Sequence, residues 1–247
     1  CAGQVNGETV DLRTVVSEDS DLNILTFNDE EGKLAFRHTA SHVLAQAVKS
    51  LYPEAKLAIG PAIEDGFYYD FDMAPLTRED LDAIEKEMKK VIKENPPIER
   101  YELPREEAIA YMKEKDEPYK VELIEDLPED ATISFYKQGD FTDLCAGPHL
   151  MSVKPIKAFK LTASSGAYWR GNENNKMLTR IYGTAYTKKA DLEERLKYLE
   201  EIKLRDHNRL GREMELFTTV DVIGQGLPLL LPKGQTDFLL PELSWHT

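Results

Sequence analysis

Phe36-Arg37-His38-Thr39-Ala40-Ser41-His42-Val43-Leu44-Ala45-Gln46-Ala47-Val48-Lys49-Ser50-Leu51 decides how the rest of the chain is read. Its apolar members Ala40, Val43, Leu44, Ala47, Val48 and Leu51 recur on one helical face, and Pro53 closes the segment, so the spacing predicts a helix. His38 and His42 stand one turn apart on the same side of that helix. At about 100° per residue they lie nearly opposite the apolar stripe. Two histidines on a polar face are poor core residues, and the pattern predicts that they line a wet cleft.

Working outward, Asn6-Gly7 between Gln4-Val5 and Glu8-Thr9-Val10 marks a hairpin, and residues 22–27 read as a strand. Residues 57–63 and 67–71 flank Glu64-Asp65-Gly66 as a second hairpin. Thr77 with Asp80 forms a capping box opening a helix that Asn95-Pro96-Pro97 stops. Helical patches over 105–115 and 119–125 precede a strand at 132–136 and further strands at 159–162, 167–170 and 177–186. A long helical pattern over 188–215 reads as a linker to another domain. Helices interspersed with hairpins make the fold class α+β, with antiparallel sheets and packed helices.

A second motif, Asp143-Leu144-Cys145-Ala146-Gly147-Pro148-His149, repeats the four-residue spacing where Gly-Pro forbids a regular helix. The two motifs hold three of the chain's five histidines and its one internal cysteine. Three chemistries are open. His38, His42, Cys145 and His149 are the donor types that tetrahedral zinc takes, although no glutamate follows the first histidine as in a zinc protease. Imidazoles with a carboxylate can orient water and move protons without metal. A cysteine nucleophile ranks last, because the charge of Asp143 disfavours a thiolate.

Composition narrows the class. With 247 residues, 41% hydrophobic and 31% charged, the chain has room for two domains and sits in the globular range. No apolar run approaches a bilayer span. Two cysteines, Cys1 and Cys145, argue against a disulfide framework, and a reducing compartment is expected. The net charge of −14 hides a reversal: residues 150–189 carry eight basic side chains (Lys154, Lys157, Lys160, Arg170, Lys176, Arg180, Lys188, Lys189) against Glu173 alone. That segregation suits a polyanion held on one face; the plainer reading is a solvated basic strand face.

Four stretches carry a family resemblance: Arg37-His38-Thr39-Ala40-Ser41-His42; Ile59-Gly60-Pro61 through Gly66-Phe67-Tyr68-Tyr69-Asp70; the Asp143 to His149 motif; and Gly166-Ala167-Tyr168-Trp169-Arg170-Gly171-Asn172 with Asn174-Asn175-Lys176-Met177 and Arg180-Ile181-Tyr182-Gly183-Thr184-Ala185. Together they closely resemble the threonyl-tRNA synthetase family. The first and third are shared with alanyl relatives; the Tyr-Trp-Arg-Gly and Arg-Ile-Tyr-Gly-Thr-Ala runs favour the threonyl enzymes. The resemblance implies that residues 1–30 are the end of a small TGS-like domain, 31–186 an editing (tRNA deacylase) domain, 187–214 a linker helix and 215–247 the truncated start of a class II catalytic domain. The last dozen residues carry no resemblance, and a start without Met suggests an excised piece.

What the resemblance implies for function is hydrolysis of mischarged Ser-tRNA(Thr), within a cytoplasmic enzyme that joins threonine to tRNA(Thr) using ATP. A methyl group discriminates serine from threonine by only roughly 1–3 kcal/mol, so a second, hydrolytic site answers a physical need. The implied site residues are His38, His42, Lys120, Asp143, Cys145 and His149. His38 and Asp143 would orient the water and the terminal ribose, Cys145 and His149 would shape the pocket, and Lys120 would meet the seryl group or water. No metal or cofactor is expected at this site. ATP, Mg and Zn are expected only for the catalytic domain, through which the parent would dimerise. For Lys120 the plain alternative is a surface lysine, and for Tyr168, Trp169 and Tyr182 it is core packing. His207 reads as a solvated or capping residue. The rival functions are a zinc-dependent trans-editing deacylase of the alanyl type and a noncatalytic tRNA-binding module.

Overall fold

The computed structural model describes residues 1–205, 207–219 and 228–233. The chain divides into two compact units, Cys1–Leu192 and Glu193–Thr247. The first is built from antiparallel sheets with helices packed on them.

Strands β1 (Ala2–Val5) and β2 (Glu8–Val10) form a hairpin around Asn6 and Gly7, both at positive φ, and β3 (Leu22–Leu25) pairs with the other edge of β1. Positive φ at both turn positions is what a two-residue hairpin with the strands' natural twist requires. Helix α1 (Glu30–Leu51) follows. A larger sheet runs in the order β10-β11-β6-β4 through β4 (Lys56–Leu57), β6 (Gly66–Asp72), β10 (Ala158–Tyr168) and β11 (Met177–Tyr186), with β5 (Ala62–Ile63) also paired to β6. The 57–63 arm of the expected hairpin is thus two short strands. Between them residues 58–61 keep partial pairing, with Ala58 N donating to Asp70 O and Asp70 N to Ile59 O. The expected strands at 159–162 and 167–170 are one strand, β10, with a register shift between Leu161 and Ala163.

Helix α2 (Arg78–Glu94) opens on the Thr77/Asp80 capping box and ends at Asn95 in the left-handed conformation. Beyond it lies a third sheet, β7-β8-β9, of β7 (Ile98–Glu102), β8 (Ser134–Gln138) and β9 (Phe141–Leu144). Helices α3 (Arg105–Glu114) and α4 (Pro118–Glu125) connect β7 to β8. Strands β7 and β9 were not expected; β7 is charged and exposed at Glu99, Arg100 and Glu102, so it lacks apolar alternation.

Helix α1 is buried on more than its apolar stripe. Arg37, Thr39, Ser41 and His42 are buried along with Ala40, Val43, Leu44, Ala47 and Val48. His42, 5% exposed, is largely enclosed by protein on what the sequence reads as the polar face. A helical wheel separates apolar from polar residues, but it does not show that the polar ones face other protein.

The expected single linker helix of 187–214 is two helices, α5 (Lys189–Leu204), which starts at the end of the first unit, and α6 (His207–Glu213) in the second. Arg205 N donates to both Glu201 O and Ile202 O, the tightened last turn with which α5 ends. Strands β12 (Phe217–Thr219) and β13 (Pro228–Leu230) pair antiparallel. The expected start of a catalytic domain at 215–247, and its last dozen residues, fall largely or wholly outside the described residues, as does the side chain of His207.

Candidate active site

A cleft of about 630 Å³ is lined by His38 and His42 from α1, Ile59, Gly60, Pro61 and Ala62 from the broken hairpin, Lys120 and Leu123 from α4, and residues 143–148. His149 lies just behind this lining, 1% exposed.

The two sequence motifs meet in this cleft. Cys145 Sγ lies 3.3 Å from His38 Nε2 and 3.2 Å from His149 Nε2. The ring centres of His38, His42 and His149 are 4.2 to 5.2 Å apart. Cys145 is fixed by β8: its N–H donates to Ser134 O at 3.1 Å, and Ser134 Oγ donates to its carbonyl at 2.6 Å. After it the chain turns through Gly147, at φ +80, into a cis Gly147–Pro148 bond. A Cβ on Gly147 would stand 2.2 Å from the Tyr136 hydroxyl, so that turn needs glycine for space as well as for conformation.

Hydrogen bonding sets the tautomer of His149. Thr39 Oγ1 donates its one proton to Ala35 O at 2.8 Å and accepts from Leu150 N at 2.9 Å. Toward His149 Nδ1, at 3.2 Å, it can then only accept. The ring proton sits on Nδ1, and Nε2 presents its lone pair to the thiol.

Lys120 and Asp143 form the second half of the site. Lys120 is 3% and Asp143 1% exposed, which removes the surface reading for the lysine. Lys120 Nζ is 2.6 Å from Asp143 Oδ1; Tyr69 Oη donates to Oδ2 at 2.6 Å, and His42 Nε2 is 3.6 Å from the same oxygen. The Asp143 oxygens are occupied by these partners and turned from solvent, so Asp143 acts on a water only through them. Tyr69 is the one group here that the sequence did not point to; in β6 it reads as another buried strand aromatic.

Burial governs the protonation states. It lowers His38 to about 4 and His42 to about 3, against the opposing pull of Asp143. It also drives His149 well below the ordinary range, so all three rings are neutral at pH 7. Burial pushes the Cys145 thiol up to about 12, with Asp143 a smaller contributor. The nucleophile reading is disfavoured chiefly by desolvation rather than by the neighbouring charge. For Asp143 burial alone would raise the pKa, but the Lys120 ammonium and His42 outweigh it and the carboxyl is held below its usual value.

The four donors His38, His42, Cys145 and His149 have ligand atoms within 4.8 Å of one another. A zinc ion with bonds of about 2.0–2.3 Å spans donor separations of this order, and neutral imidazoles suit it. The Thr39 bond to His149 is also the outer support a ligating histidine takes. The donor set fits a metal in size and type, at the cost of deprotonating Cys145.

Helix α4, which carries Lys120, is gripped by the tip of the β10-β11 hairpin. Trp169 is 5% exposed, packs edge-on against Tyr119 at 5.0 Å and donates from Nε1 to Glu122 at 3.0 Å. Arg170, at φ +55, pairs with Glu122 and Asp126. Trp169 is thus core, Tyr168 is 41% exposed, and Tyr182 is half-buried. Neighbouring acids also hold much of the basic 150–189 segment: Lys160 pairs with Glu85, Lys176 with Asp72, and Arg180 with Asp70.

Residues 133–182, which include β8, β9 and the Cys145 loop, match the family described as the threonyl and alanyl tRNA synthetase second additional domain. The chain is 65% identical over 235 residues to a threonine–tRNA ligase of Clostridium botulinum strain Alaska E43, covering 95% of this chain and 36% of the relative. The chain belongs to the threonyl-tRNA synthetase family. A threonine–tRNA ligase of Acetivibrio thermocellus is 63% identical over 99% of this chain and 39% of its own length, and one of Clostridium tetani 63% over 98% and 38%. The chain therefore spans well under half the length of these relatives, and its similarity to threonyl-tRNA synthetases runs through both compact units. Among the described residues no helix is long and apolar enough to cross a membrane.

Proposed function

We propose that the cleft hydrolyses mischarged Ser-tRNA(Thr), as the proofreading part of a cytoplasmic enzyme that joins threonine to tRNA(Thr). The observation that carries this reading is the convergence of His38, Cys145 and His149 beside a buried Lys120–Asp143 pair at the floor of one cleft. Hydrolysing an aminoacyl ester needs a placed water, a route for a proton and a positive group near the developing oxyanion. Neutral His38 accepts a hydrogen bond from the water. A base lowered to about 4 is weak at pH 7, so His38 contributes more by orientation than by full proton abstraction. Lys120, aimed by Asp143, supplies the positive group or holds the seryl hydroxyl. Cys145 and His149 close the wall against which threonine's extra methyl would displace the water.

Residues 1–30, 31–186, 187–214 and 215–247 serve in this reading as the end of a TGS-like domain, the hydrolytic domain, a linker and the start of a class II catalytic domain. ATP, Mg and Zn belong to that last domain, as does dimerisation. The hydrolytic site works without metal. A second reading, favoured by the four donors within 4.8 Å, has His38, His42, Cys145 and His149 hold zinc; it would serve as a Lewis acid for the water only with one of the four released or the water as a fifth ligand.

Deacylation of Ser-tRNA(Thr) and Thr-tRNA(Thr) by the purified chain tests both readings. Serine release with the threonyl ester spared is expected, unaffected by a chelator and without stoichiometric metal. Equal rates on the two esters would sink the proofreading role; loss of activity with removed zinc would select the second reading.

A further inference from the structure

We infer that Asp11 and Arg13, from the segment just after the β1-β2 hairpin, are positioning residues for the hydrolytic site, so that the amino-terminal strands are part of the working unit. This rests on the hydrolytic reading of the cleft. Asp11 is 8% exposed and more than a hundred residues from the loop it serves. Its Oδ2 accepts from the backbone N–H of His149 at 3.3 Å and from the Tyr136 hydroxyl at 2.9 Å. Tyr136 in turn lies 4.3 Å, ring centre to ring centre, from His149 and blocks the space beside Gly147. One carboxylate thus fixes the main chain at His149 and a ring that packs on its imidazole.

Arg13 holds the carboxylate in place. Its Nη1 donates to Asp11 Oδ1 at 2.8 Å, and its backbone N–H donates to the same oxygen at 2.9 Å. Its Nη2 donates to Leu150 O at 2.9 Å and its Nε to Ile98 O at 3.2 Å. The guanidinium therefore ties the carbonyl just beyond His149 to the start of β7, and with Asp11 it grips both sides of the His149 peptide. Thr39 reaches the same place from α1, accepting from Leu150 N. The turn that carries Cys145 and His149 is anchored from the amino-terminal segment and from α1 at once. Removing the Asp11 carboxylate leaves the His149 N–H and the Tyr136 hydroxyl buried without an acceptor, and the loop has every reason to move.

The test compares the unaltered chain with Asp11→Ala, Asp11→Asn, Arg13→Gln and a distant control, Glu85→Ala. Glu85 is likewise a buried carboxylate that accepts a backbone N–H, that of Leu161. Single-turnover hydrolysis of Ser-tRNA(Thr) is followed across enzyme concentrations, with hydrogen exchange at 145–150 and thermal unfolding measured on the same samples. Asp11→Ala is expected to lower the maximal rate at least ten-fold, to leave the half-saturating concentration within two-fold, and to raise exchange at His149 and Leu150. Asp11→Asn, which keeps one acceptor, recovers part of the rate. Arg13→Gln gives a smaller loss, and serves if Asp11→Ala does not fold. A rate loss no greater than that of Glu85→Ala at equal destabilisation, or unchanged exchange in the loop, overturns the inference. If the unaltered chain itself releases no serine, the hydrolytic reading falls and this inference about its working unit falls with it; the exchange data then show separately whether Asp11 holds the loop.

Discussion

Two of the regions where lysine and arginine meet carboxylates lie at opposite degrees of burial. Lys120 and Asp143 are almost wholly enclosed, with Tyr69 and His42 completing the carboxylate's shell. On the β10-β11 hairpin, Lys176 and Arg170 pair with Asp72, Glu122 and Asp126 in the open, with 64% and 40% of their side chains exposed. In water the second kind of pair contributes little, because solvent screens it and long side chains lose freedom to make it. A buried pair has given up its hydration, and either member alone is left uncompensated. The same residue types therefore form a desolvated pair that depends on both members in one region and surface trim in the other.

Breaking the buried pair gives the largest effect. Lys120→Ala leaves a buried carboxylate without its cation and is expected to cost about 3–5 kcal/mol in urea unfolding, together with nearly all serine release. Lys120→Met keeps the stem's packing but not the charge. It should lose hydrolysis just as fully, and a Lys120→Met variant that still releases serine at the original rate would remove the lysine from the mechanism.

Next in size is the response to acid. His38 and His42 titrate near 4 and 3 in the fold and ordinarily near 6.5, so their folded pKa values are depressed. The stability linked to them is present above about pH 6.5 and is lost as pH falls toward the folded values, since the unfolded chain binds the protons first. The lowered carboxyl of Asp143 acts in the same direction. Thermal unfolding should show a midpoint flat near neutrality and falling below about pH 6, and His42→Gln should shrink that slope. Hydrolysis, needing neutral His38, should hold its rate down to about pH 5; a rate that titrates near 7 would contradict the burial of these rings.

The contrast between regions also shows what the amino-acid order could reveal. The His38/His42 and Cys145/His149 pairs stood out because scarce residue types shared a spacing, and scarce types seldom cluster by composition alone. Lys120 was not separable from other lysines by pattern, since its burial depends on α4 bringing it against Asp143 of β9, in a sheet whose far strand β7 looks like a charged loop. The basic run of 150–189 shows a second limit of reading along the chain. Charge is read along the chain, but Glu85, Asp72 and Asp70 sit close to its cations only after folding. Asp11 was invisible for the same reason: an aspartate after a hairpin is ordinary, and its acceptor role appears only when residues 136 and 149 arrive beside it.

The hairpin tip offers an intermediate case. Trp169 is buried and grips the helix that carries Lys120, so Trp169→Ala should open a cavity and cost about 3–5 kcal/mol, less any collapse of the tip. If α4 transmits the damage, hydrolysis falls further than unfolding predicts, whereas Trp169→Phe, which keeps a ring edge-on against Tyr119, restores most of the rate.

The smallest expected effect gives the sharpest comparison. Lys176→Ala removes an exposed partner of Asp72, but Asp72 keeps the hydrogen bond that the Tyr119 hydroxyl donates at 2.9 Å. The carboxylate is neither buried nor orphaned, so the change in unfolding free energy should stay within about 1 kcal/mol and be smaller still in high salt. Hydrolysis of a bound ester should be unaltered, because nothing in the Lys120–Asp143 shell has moved. A large loss from Lys176→Ala would mean that Asp72 reaches the site through Tyr119 and Lys120, and the division between buried and screened pairs would have to be redrawn along α4.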